Sequence, residues 1–593
     1  MKRRYRLDRS APRIPTNWVA SPGCSQVQVI ASRTESTVGV VADNPVDGGQ
    51  VDQSRPGPGT RDIDPRAGAA PDTGPFAFTD VGPWVVDPGE LRWLTGIDAL
   101  RARTRADVPR LLEPHRVPPL GRLTRSVAGL GRALVPWYVR ERGRPASRAG
   151  LAWRLRRSFE RLGSTYVKLG QIVSAFEGVF PDELVSEFKK LRDQVPPEPF
   201  AAIRRVVEED LGEPLETVFV TFDEAPLAAA SIAQVHAARL RTGEEVVVKV
   251  QRPRVATLMR EDVRALAWLA PHLIGRIPVA SLANPPALVE LFAEQIVEEL
   301  DFRLEAENML DLARVFAETG QRAMVVPRPH PTLVTRRVLV MERLEGFAFD
   351  DVESMQRAGV DTAEVLRAGL IACLEGAMLY GVFHGDLHGG NLLVEPGGRT
   401  VLFDFGITGR LAEPQRLAFL RLLLTGTAGD VRGQLAALRD LGAFPADTDL
   451  DAVFADLELD QPVKDPTQMS ATEMVDQLQG LVTKLLGYGA RAPKDLMLFV
   501  KNLMFLNAAT ATLAPDLDLI GEIVHIHQYF LTQHGERLAR ELGVDPGAAA
   551  VDVDAIKAGF LVPADVDRLT FADLQERRRT IVRRMGDRPS RRG

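Results

Sequence analysis

The hydrophobic period of this chain changes along its length, and the order of the changes restricts the fold more than any other feature of the sequence. Residues 148–212 carry a helical pattern, and "SIAQVHAARLRTGEEVVVKVQ" then gives two strand-like runs joined by a turn at Thr242-Gly243. A long helical pattern follows over about 285–318, another strand-like run lies in "RRVLVMERLEG", and helices dominate from 361 onward. Short strands are predicted within that last part at 392–394 and 400–403. We therefore predict an α+β fold, in which a small mixed sheet is followed by a helical lobe.

The chain of 593 residues is too long for one typical core, so two or more domains, or one domain with large additions, are expected. Its first part is rich in Pro, Gly, Asp, Ser and Arg and lacks periodicity, which predicts disorder. The predicted units are a disordered segment over 1–75, a helical extension over 88–212, a small lobe over 213–345, a helical lobe over 346–570 and a basic tail over 571–593.

Charge and composition exclude several classes of protein. The net charge of −6 gives no reason to expect nucleic-acid binding, and the two cysteines, Cys24 and Cys373, are not expected to form a disulfide, which fits a reducing cytosol. The apolar stretch 366–383 carries an arginine and a glutamate, so a buried helix is favoured over a membrane span. We expect a cytoplasmic protein. The apolar residues of 115–145 could rest on a membrane surface, although packing on the main domain is favoured.

The stretch "VFHGDLHGGNLLV" carries polar residues at the spacing of a phosphoryl-transfer loop. His384, Asp386 and Asn391 keep the spacing of the protein-kinase catalytic loop, H-R-D-x-x-x-x-N. "VLFDFGI" places Asp404 in an Asp-Phe-Gly triplet after an apolar strand, 18 residues beyond Asp386. A hairpin of that length brings both aspartates and Asn391 to one cation. A zinc site at His384 and His388 is the weaker alternative, because the surrounding glycines indicate a loop and not the helix that such a pair needs.

Lys249 lies inside the apolar strand "EEVVVKVQRP", with apolar neighbours on both sides. This position suits a lysine that points into a cleft and meets phosphate, and a buried lysine needs an anionic partner. Asp301 and Glu305, four residues apart in the long helical pattern, are predicted to face the same side of a helix. The sequence alone does not choose the partner from the carboxylates of "VEELDFRLEAENM", which are Glu298, Glu299, Asp301, Glu305 and Glu307.

The sequence lacks the glycine-rich loop that covers the phosphates in protein kinases, and it contains no P-loop motif. The corresponding stretch is "PLAAASIAQVHA". Alanine lets a backbone approach phosphate but resists positive φ, so we expect a stiffer loop. Ser231 and Gln234 are the candidate donors to phosphate.

Together these motifs resemble one family. "YVKLGQ", "AAASIAQVH", "VVVKVQRP", "EELDFRLEAENM", "HGDLHGGN" and "FDFG" occur in this order over roughly residues 150–430, and they are similar to the UbiB/ADCK family of atypical kinase-like proteins, associated with quinone biosynthesis and lipid homeostasis. The resemblance implies a protein-kinase-like bilobal fold, with an N-terminal helical extension over the active site. It also implies ATP and Mg²⁺ as cofactors.

The resemblance further implies a role for each matching residue. Lys249 would contact the ATP phosphates with Glu305 as its ion-pair partner, and Asp386 would be the catalytic aspartate. The magnesium ligands would be Asn391 and Asp404, the nucleotide loop would contain Ala228, Ala229 and Ala230, and the adenine-binding hinge would fall near Met341 and Glu342. Regulatory roles would fall to Lys168, Gly170 and Gln171 of the K-x-G-Q signature and to Glu299 and Asp301 of the E-x-D signature.

The favoured function is an atypical kinase or ATPase that binds Mg-ATP and supports isoprenoid-quinone or lipid metabolism at the membrane. If the helix of Lys168 covers the cleft, Lys168 would meet Glu299 or Asp301 and block large acceptors, which favours a small acceptor or water. A quinone precursor or another lipid is the candidate partner, and the acceptor itself stays open.

Two alternatives are kept, namely a small-molecule phosphotransferase of the aminoglycoside or choline type, which "HGDLHGGN" also suits, and a non-catalytic nucleotide-binding scaffold. Family members often have C-terminal membrane spans. Here the apolar run at 496–513 is interrupted by Lys501 and Asn502 and predicts a buried helix, so membrane attachment would be peripheral.

Overall fold

The computed structural model describes residues 76–543 apart from 80–81, 114–119, 142–146, 176–179, 192–195, 274–284, 460–479 and a few positions between 482 and 492, together with scattered positions between 553 and 579. The predicted disordered segment 1–75 and most of the predicted basic tail lie outside the described residues.

The first helices of the chain pack into a core of their own with two helices that come later. Tyr166 is buried in this core, and its hydroxyl donates to Ser126 Oγ at 2.5 Å. The predicted helix start at Pro181 is confirmed, since this residue is the N-cap of a helix. The helices of this core are α1 (Ile97–Leu112), α2 (Leu120–Pro136), α3 (Ser147–Leu162), α4 (Ser164–Ala175) and α5 (Asp182–Phe188). The next two helices, α6 (Phe200–Leu211) and α7 (Leu215–Val218), pack instead on the sheet that follows them.

A six-stranded sheet follows, in the spatial order β1-β3-β4-β7-β6 with β2 paired to β3. Its strands are β1 (Phe219–Phe222), β2 (Ala228–Ala229), β3 (Ala233–Leu240), β4 (Glu245–Gln251), β6 (Pro329–Val334) and β7 (Val338–Glu342), and β5 (Met324–Val325) belongs to another sheet. The predicted turn between β3 and β4 contains Gly243 at φ +110°, a conformation that favours glycine. The neighbouring strands of this sheet all run antiparallel, so the mixed pairing expected here does not occur in it.

The predicted long helix over 285–318 is in fact two helices. After α8 (Val255–Leu273), α9 (Pro285–Glu299) ends and α10 (Phe302–Thr319) begins around Asp301, which has the extended backbone of an N-cap. The Asp301 side chain accepts from the Arg303 N–H at the start of α10. Because Asp301 lies outside the helical turns, it does not share a helix face with Glu305, and that expectation is wrong.

A second sheet and a short strand pair support the loops that carry Asp386 and Asp404. The second sheet has the order β5-β11-β10-β8, in which β5 and β11 are parallel and the other pairs are antiparallel, so parallel and antiparallel pairings do occur together in this chain. The strands are β8 (Phe347–Ala348), β9 (Val382–His384), β10 (Leu392–Val394), β11 (Thr400–Leu402) and β12 (Thr408–Arg410), of which β9 and β12 form the pair.

The C-terminal half is mainly helical, as predicted. Its helices are α11 (Val352–Arg357), α12 (Thr362–Glu375), α13 (Glu413–Thr427), α14 (Val431–Asp440), α15 (Leu450–Asp456), α16 (Lys494–Leu513) and α17 (Leu519–Leu542). Among the described helices, α16 is long and apolar enough to cross a membrane by length and composition, and 39% of its most apolar window is buried inside the fold.

An N-terminal strap, residues 76–79 and 82–94, packs against α10 and β6. The Ala77 N–H donates to Ala313 O at 2.8 Å, and the indole of Trp84 donates to Pro329 O at 3.1 Å. The strap also surrounds Arg328, since a Cβ at Gly82 would lie 1.9 Å from the Arg328 Cζ atom. Part of the chain before the first helix is therefore built into the core beside the six-stranded sheet.

Candidate active site

Lys249 lies in a group of charged side chains between the six-stranded sheet and helix α10. Its Nζ atom is 2.6 Å from Glu305 Oε1 and 3.1 Å from Asp404 Oδ1. Of the carboxylates that the sequence left open, Glu305 is thus the one that contacts the lysine. Burial alone would lower the pKa of Lys249, but the charges of Asp404 and Glu305 raise it, so the amine stays protonated.

Asp404 adopts a left-handed backbone conformation with φ +56°, which is uncommon for residues other than glycine. Its neighbour Phe405 is buried, and Asn308 of α10 donates from Nδ2 to Phe405 O at 2.8 Å. Burial would raise the pKa of Asp404, but nearby lysines, chiefly Lys249, lower it to about 2. The strained turn is therefore held from α10, and it directs an ionised carboxylate at Lys249.

His384 connects the predicted catalytic loop to the strand that leads to Asp404. Its Nδ1 accepts from the Asp386 N–H at 3.1 Å, and its Nε2 lies 3.1 Å from Phe403 O. Burial lowers the pKa of His384, which fits a neutral ring that accepts at Nδ1 and donates at Nε2. Asn391 donates from Nδ2 to Asp386 O at 3.1 Å and closes the loop. His384 thus has a structural contact at each ring nitrogen, and the zinc alternative finds no support.

Helix α16 contributes two residues to this loop. Lys501 donates from Nζ to Asp386 Oδ1, and the buried Asn502 donates from Nδ2 to His384 O and accepts the Leu387 N–H at 3.2 Å. Burial would raise the pKa of Asp386, but the charge of Lys501, the largest opposing influence, holds it well below its usual range. The sequence does not predict either residue as part of the site. The available signal is a polar pair inside the apolar "LMLFVKNLMFL".

Lys168 of α4 reaches the same cleft, where its Nζ lies 3.1 Å from Glu299 Oε1. Burial raises the pKa of Glu299 to about 7, and the charge of Lys168 opposes this shift. Glu299 borders the turn at Asp404, because a Cβ at Gly406 would lie 3.4 Å from Glu299 Cγ and 3.3 Å from Asp404 Oδ1. Helix α4 is therefore tied to the wall of the cleft beside the two aspartates.

The other residues of the two signatures have structural surroundings. Asp301 caps α10 and forms an ion pair with Arg303 at 2.7 Å, so of the two acidic partners weighed for Lys168 the structure shows Glu299. Position 170 on α4 is tightly packed, because a Cβ there would lie 2.2 Å from Leu191 Cδ1. Gln171 is half-buried one helical turn from Lys168.

The alanine-rich loop is a tight hairpin. Ala228 and Ala229 form β2 and pair with β3, and the Ala230 N–H donates to Ala233 O at 2.8 Å to close the turn. Arg252 donates from Nε to Ala230 O at 2.8 Å and supports the turn from behind. These contacts hold the turn in place, and the greater stiffness expected of alanine relative to glycine stays a prediction.

The two candidate phosphate donors have different surroundings. Ser231 is buried at the tip of the hairpin. Gln234 is fully buried, and its Oε1 accepts the Glu198 N–H at 2.5 Å. The register pairs Val235 with Lys249, so strand alternation places Gln234 on the opposite face of the sheet from Lys249. The suggestion that Gln234 donates to phosphate is therefore wrong.

The predicted hinge residues lie at the end of β7, where Met341 is buried in the main core. Glu342 accepts from Thr79 Oγ1 of the N-terminal strap at 2.6 Å and from the Arg328 N–H at 3.2 Å. Burial raises the pKa of the Glu342 carboxyl. The Glu342 carboxylate therefore has bonding partners inside the protein, and the Glu342 N–H donates to Arg328 O at 2.9 Å.

The oxygen atoms near Asp404 suit a magnesium ion. Within the described part of the chain, no group of three or more His, Cys, Asp and Glu side chains has the geometry to hold a metal ion alone. Magnesium usually needs only one or two protein oxygens, because phosphate and water complete its shell. Asp404 and Asn391 supply one carboxylate and one amide oxygen beside the cleft, so these residues fit an ion that arrives with a nucleotide.

Comparison with known proteins agrees with this geometry. The family description "ABC1 atypical kinase-like domain" matches residues 190–437. A protein named "Probable protein kinase UbiB" from Pseudomonas paraeruginosa is 31% identical over 411 residues, which cover 65% of this chain and 74% of that protein. This chain belongs to the ABC1/UbiB family of atypical kinase-like proteins.

Other proteins are similar over a comparable share of this chain. An uncharacterized protein of Mycobacterium tuberculosis is 34% identical over 387 residues, covering 62% of this chain and 76% of that protein. The chloroplastic "Protein ACTIVITY OF BC1 COMPLEX KINASE 1" of Arabidopsis thaliana is 30% identical over 373 residues, covering 62% of this chain and 54% of that protein. The family resemblance stated from the motifs is confirmed, as is the kinase-like nature of the domain.

Proposed function

We propose that this protein binds Mg-ATP in the cleft around Lys249 and transfers or hydrolyses the γ-phosphoryl group. One observation carries the proposal: Lys249 contacts both Glu305 and the Asp404 carboxylate, at 2.6 and 3.1 Å. A protonated lysine held by one carboxylate next to a second one is the arrangement that phosphoryl transfer from ATP requires. Membership of a kinase-like family supports the same conclusion.

The residues around the cleft would each have a separate role in the reaction. Lys249 would bind the phosphates, and Glu305 would hold it in place. Asp386, which is kept ionised, would orient the acceptor and take up its proton. Asp404 and Asn391 would hold magnesium, which when bound neutralises charge on the phosphate oxygens.

The nucleotide itself would lie between the alanine-rich hairpin and the end of β7. Ala228, Ala229, Ala230 and Ser231 would cover the phosphates, with Arg252 bracing the turn. The backbone at Met341 and Glu342 would receive the adenine. This assignment corresponds to a bilobal arrangement, in which the six-stranded sheet forms the small lobe and the helices after 346 form the larger one.

The helical extension would restrict which acceptor reaches the cleft. Lys168 joins α4 to Glu299 beside the turn at Asp404, so α4 would occupy space that a protein acceptor needs. A small molecule, a lipid or water would then be the acceptor. The role in quinone or lipid metabolism that the resemblance implies fits this restriction.

A peripheral membrane contact is proposed for the exposed side chains of α2, of residues 137–141 and of α3. Large apolar side chains are exposed there, with Val135 59%, Val139 71% and Trp153 50% accessible. Helix α2 and the residues just after it also carry exposed arginines, namely Arg125, Arg132 and Arg140. Apolar side chains flanked by basic ones favour binding to an anionic lipid surface.

The test is ATP turnover by the full chain with and without magnesium, and with vesicles of anionic or zwitterionic phospholipid. We expect magnesium-dependent turnover that anionic vesicles raise. Asp404→Asn should reduce it to background, while Glu353→Gln, which alters an exposed carboxylate paired with Arg357, should not. The double variant V135D/V139D should keep basal turnover and lose the response to vesicles.

Other outcomes separate the alternatives. Magnesium-dependent nucleotide binding without turnover under any condition would refute the ATPase proposal and favour a scaffold. Turnover that depends on an added aminoglycoside or choline, and not on lipid, would favour a small-molecule phosphotransferase.

A further inference from the structure

Helix α16 comes from a part of the chain beyond the family match at 190–437, yet it brings a cation to the centre of the cleft. Lys501 contacts the Asp386 carboxylate across a separation of 115 residues. The side chains of the pair remain partly accessible, at 31% for Lys501 and 18% for Asp386. The pair therefore borders the space that an acceptor or a phosphate group would enter.

The next residue of α16 fixes the position of this lysine. Asn502 is fully buried, donates to His384 O and accepts the Leu387 N–H at 3.2 Å. These two hydrogen bonds hold the helix against the loop backbone on both sides of Asp386. Lys501 is thus not needed to attach α16 to the loop.

The loop itself offers no basic side chain of lysine or arginine. The sequence from His384 to Gly398 contains neither residue. The imidazole of His388 turns back on its own loop, where Nδ1 accepts the Gly390 N–H at 3.1 Å. Lys249 is held by Glu305 and Asp404.

We propose that Lys501 is a catalytic residue that contacts the γ-phosphoryl group during its transfer to the acceptor held by Asp386. This inference rests on the proposed function. In the step, the bond from γ-phosphorus to the β,γ-bridging oxygen breaks and a bond from the acceptor oxygen to γ-phosphorus forms. The acceptor proton passes to Asp386, and ADP leaves with the electron pair of the broken bond. Lys501 stays protonated throughout and donates to the γ-phosphoryl oxygens.

The charges in the cleft support this role. Phosphoryl transfer spreads negative charge over the γ-phosphoryl oxygens as they approach the ionised Asp386, and two anions at that distance repel each other. Because Lys501 is paired with Asp386, its positive charge offsets this repulsion at the point where the γ-phosphoryl group approaches Asp386. It therefore stabilises the transition state more than bound ADP, which has no γ-phosphoryl group.

The test compares Lys501→Met and Lys501→Arg with Lys494→Met in the full chain. Lys494 is the matched control, because it lies on the same helix and forms a partly exposed ion pair with Glu294 at 3.4 Å. Turnover is measured together with Mg²⁺-dependent binding of ADP alone and of ADP with aluminium fluoride, which mimics the transferred phosphoryl group. Thermal unfolding reports whether each variant is folded.

We expect Lys501→Met to lower kcat by roughly 100- to 1,000-fold, as for loss of one charge-stabilising donor. The affinity for ADP with aluminium fluoride should fall by a similar factor, while the affinity for ADP stays within about twofold, since only the former places charge at the γ-position. Lys501→Arg should recover at least about tenfold of the lost kcat, because it keeps the charge but changes the geometry. Lys494→Met should behave as the unaltered protein.

An unaltered kcat in Lys501→Met would overturn the assignment. An equal loss of affinity for ADP with and without aluminium fluoride would also overturn it, because that result indicates a displaced loop. If the unaltered protein binds nucleotide but does not turn it over, equal binding of ADP with aluminium fluoride by it and by Lys501→Met overturns the assignment as well. Failure of the unaltered protein to bind any nucleotide would instead refute the proposed function itself, and the role of Lys501 with it.

Discussion

Replacing Gly170 by alanine tests how tightly α4 is packed, two residues beyond the lysine that reaches the cleft. A Cβ at this position would lie 2.2 Å from Leu191 Cδ1 and 3.1 Å from Phe159 Cδ2. Leu191 and Phe159 are buried, at 4% and 8% accessible, and belong to the core of the N-terminal helices. The methyl group therefore has no free space, and either α4 or its neighbours must shift.

Two opposing contributions set the size of the effect. Alanine favours the helix by about 1 kcal/mol relative to glycine. Inserting a methyl group into a packed core costs about 1 to 3 kcal/mol, and a contact as short as 2.2 Å places this position toward the upper end. The net loss of stability is about 1 to 2 kcal/mol, which corresponds to a decrease of about 1 to 2 °C in the Tm, because the entropy of unfolding grows with chain length.

The assay is thermal unfolding of the full chain as part of a double-mutant cycle with Leu191→Val, which removes the Cδ1 atom. In that background Gly170→Ala should be neutral or stabilising, because the obstructing atom is absent and the helix preference remains. Gly131→Ala is the control and should not lower the Tm, since a Cβ at this helical glycine would meet no described atom within 4 Å.

Two results would refute this reasoning. One is a Tm for Gly170→Ala equal to that of the unaltered protein. The other is a loss from Gly170→Ala that is the same with leucine or valine at position 191, which would show that the contact with Leu191 does not limit the packing.

Three further predictions concern ion pairs, buried amides and pH. Lys249→Met should lower nucleotide affinity and destabilise the fold by about 3 to 5 kcal/mol, because it leaves Glu305 buried without its partner, and calorimetry of unfolding and of ADP binding measures both. Asn502→Leu should cost about 1 to 3 kcal/mol for each of the two backbone groups that lose their partner, His384 O and the Leu387 N–H, with a lower Tm at equal helix content as the readout. Burial lowers the pKa of His330 from 6.5 to about 4. The stability that its neutral imidazole contributes to the fold is therefore fully present above pH 6.5 and is lost as the pH falls toward 4. Denaturation between pH 7 and 4 should show a loss of up to about 3 kcal/mol that His330→Gln removes, and identical pH profiles for both proteins would contradict this.

Local pattern was enough to predict the parts of the site that lie close together in the sequence. Asp386, Asn391 and Asp404 come from one stretch whose hairpin is set by short strands, so spacing alone brings them together. The position of Lys249 facing the cleft could be predicted from its place between apolar residues in a strand. The alternation of side chains along a strand excludes Gln234 as a phosphate donor, since the two strands pair Val235 with Lys249.

Other parts of the site depend on contacts that no local pattern contains. The four-residue spacing of apolar residues continues from Ile296 through Leu300 to Leu304. This pattern therefore gives no sign that one helix ends and the next begins at Asp301. An N-cap aspartate was the available signal for that break. Lys501 meets Asp386 across 115 residues, and a lysine in an apolar helix does not reveal its partner.

The origin of the lysines has a practical consequence for any shortened form of this protein. The cleft holds the lysines 249, 168 and 501 against four carboxylates, those of residues 305, 299, 386 and 404. All four carboxylates and only the first of these lysines lie within the family match at 190–437. A protein cut to those limits would present four negative groups and one positive group to a tetra-anionic nucleotide. Such a fragment is expected to repel ATP, and a lack of binding by it would say nothing about the whole chain.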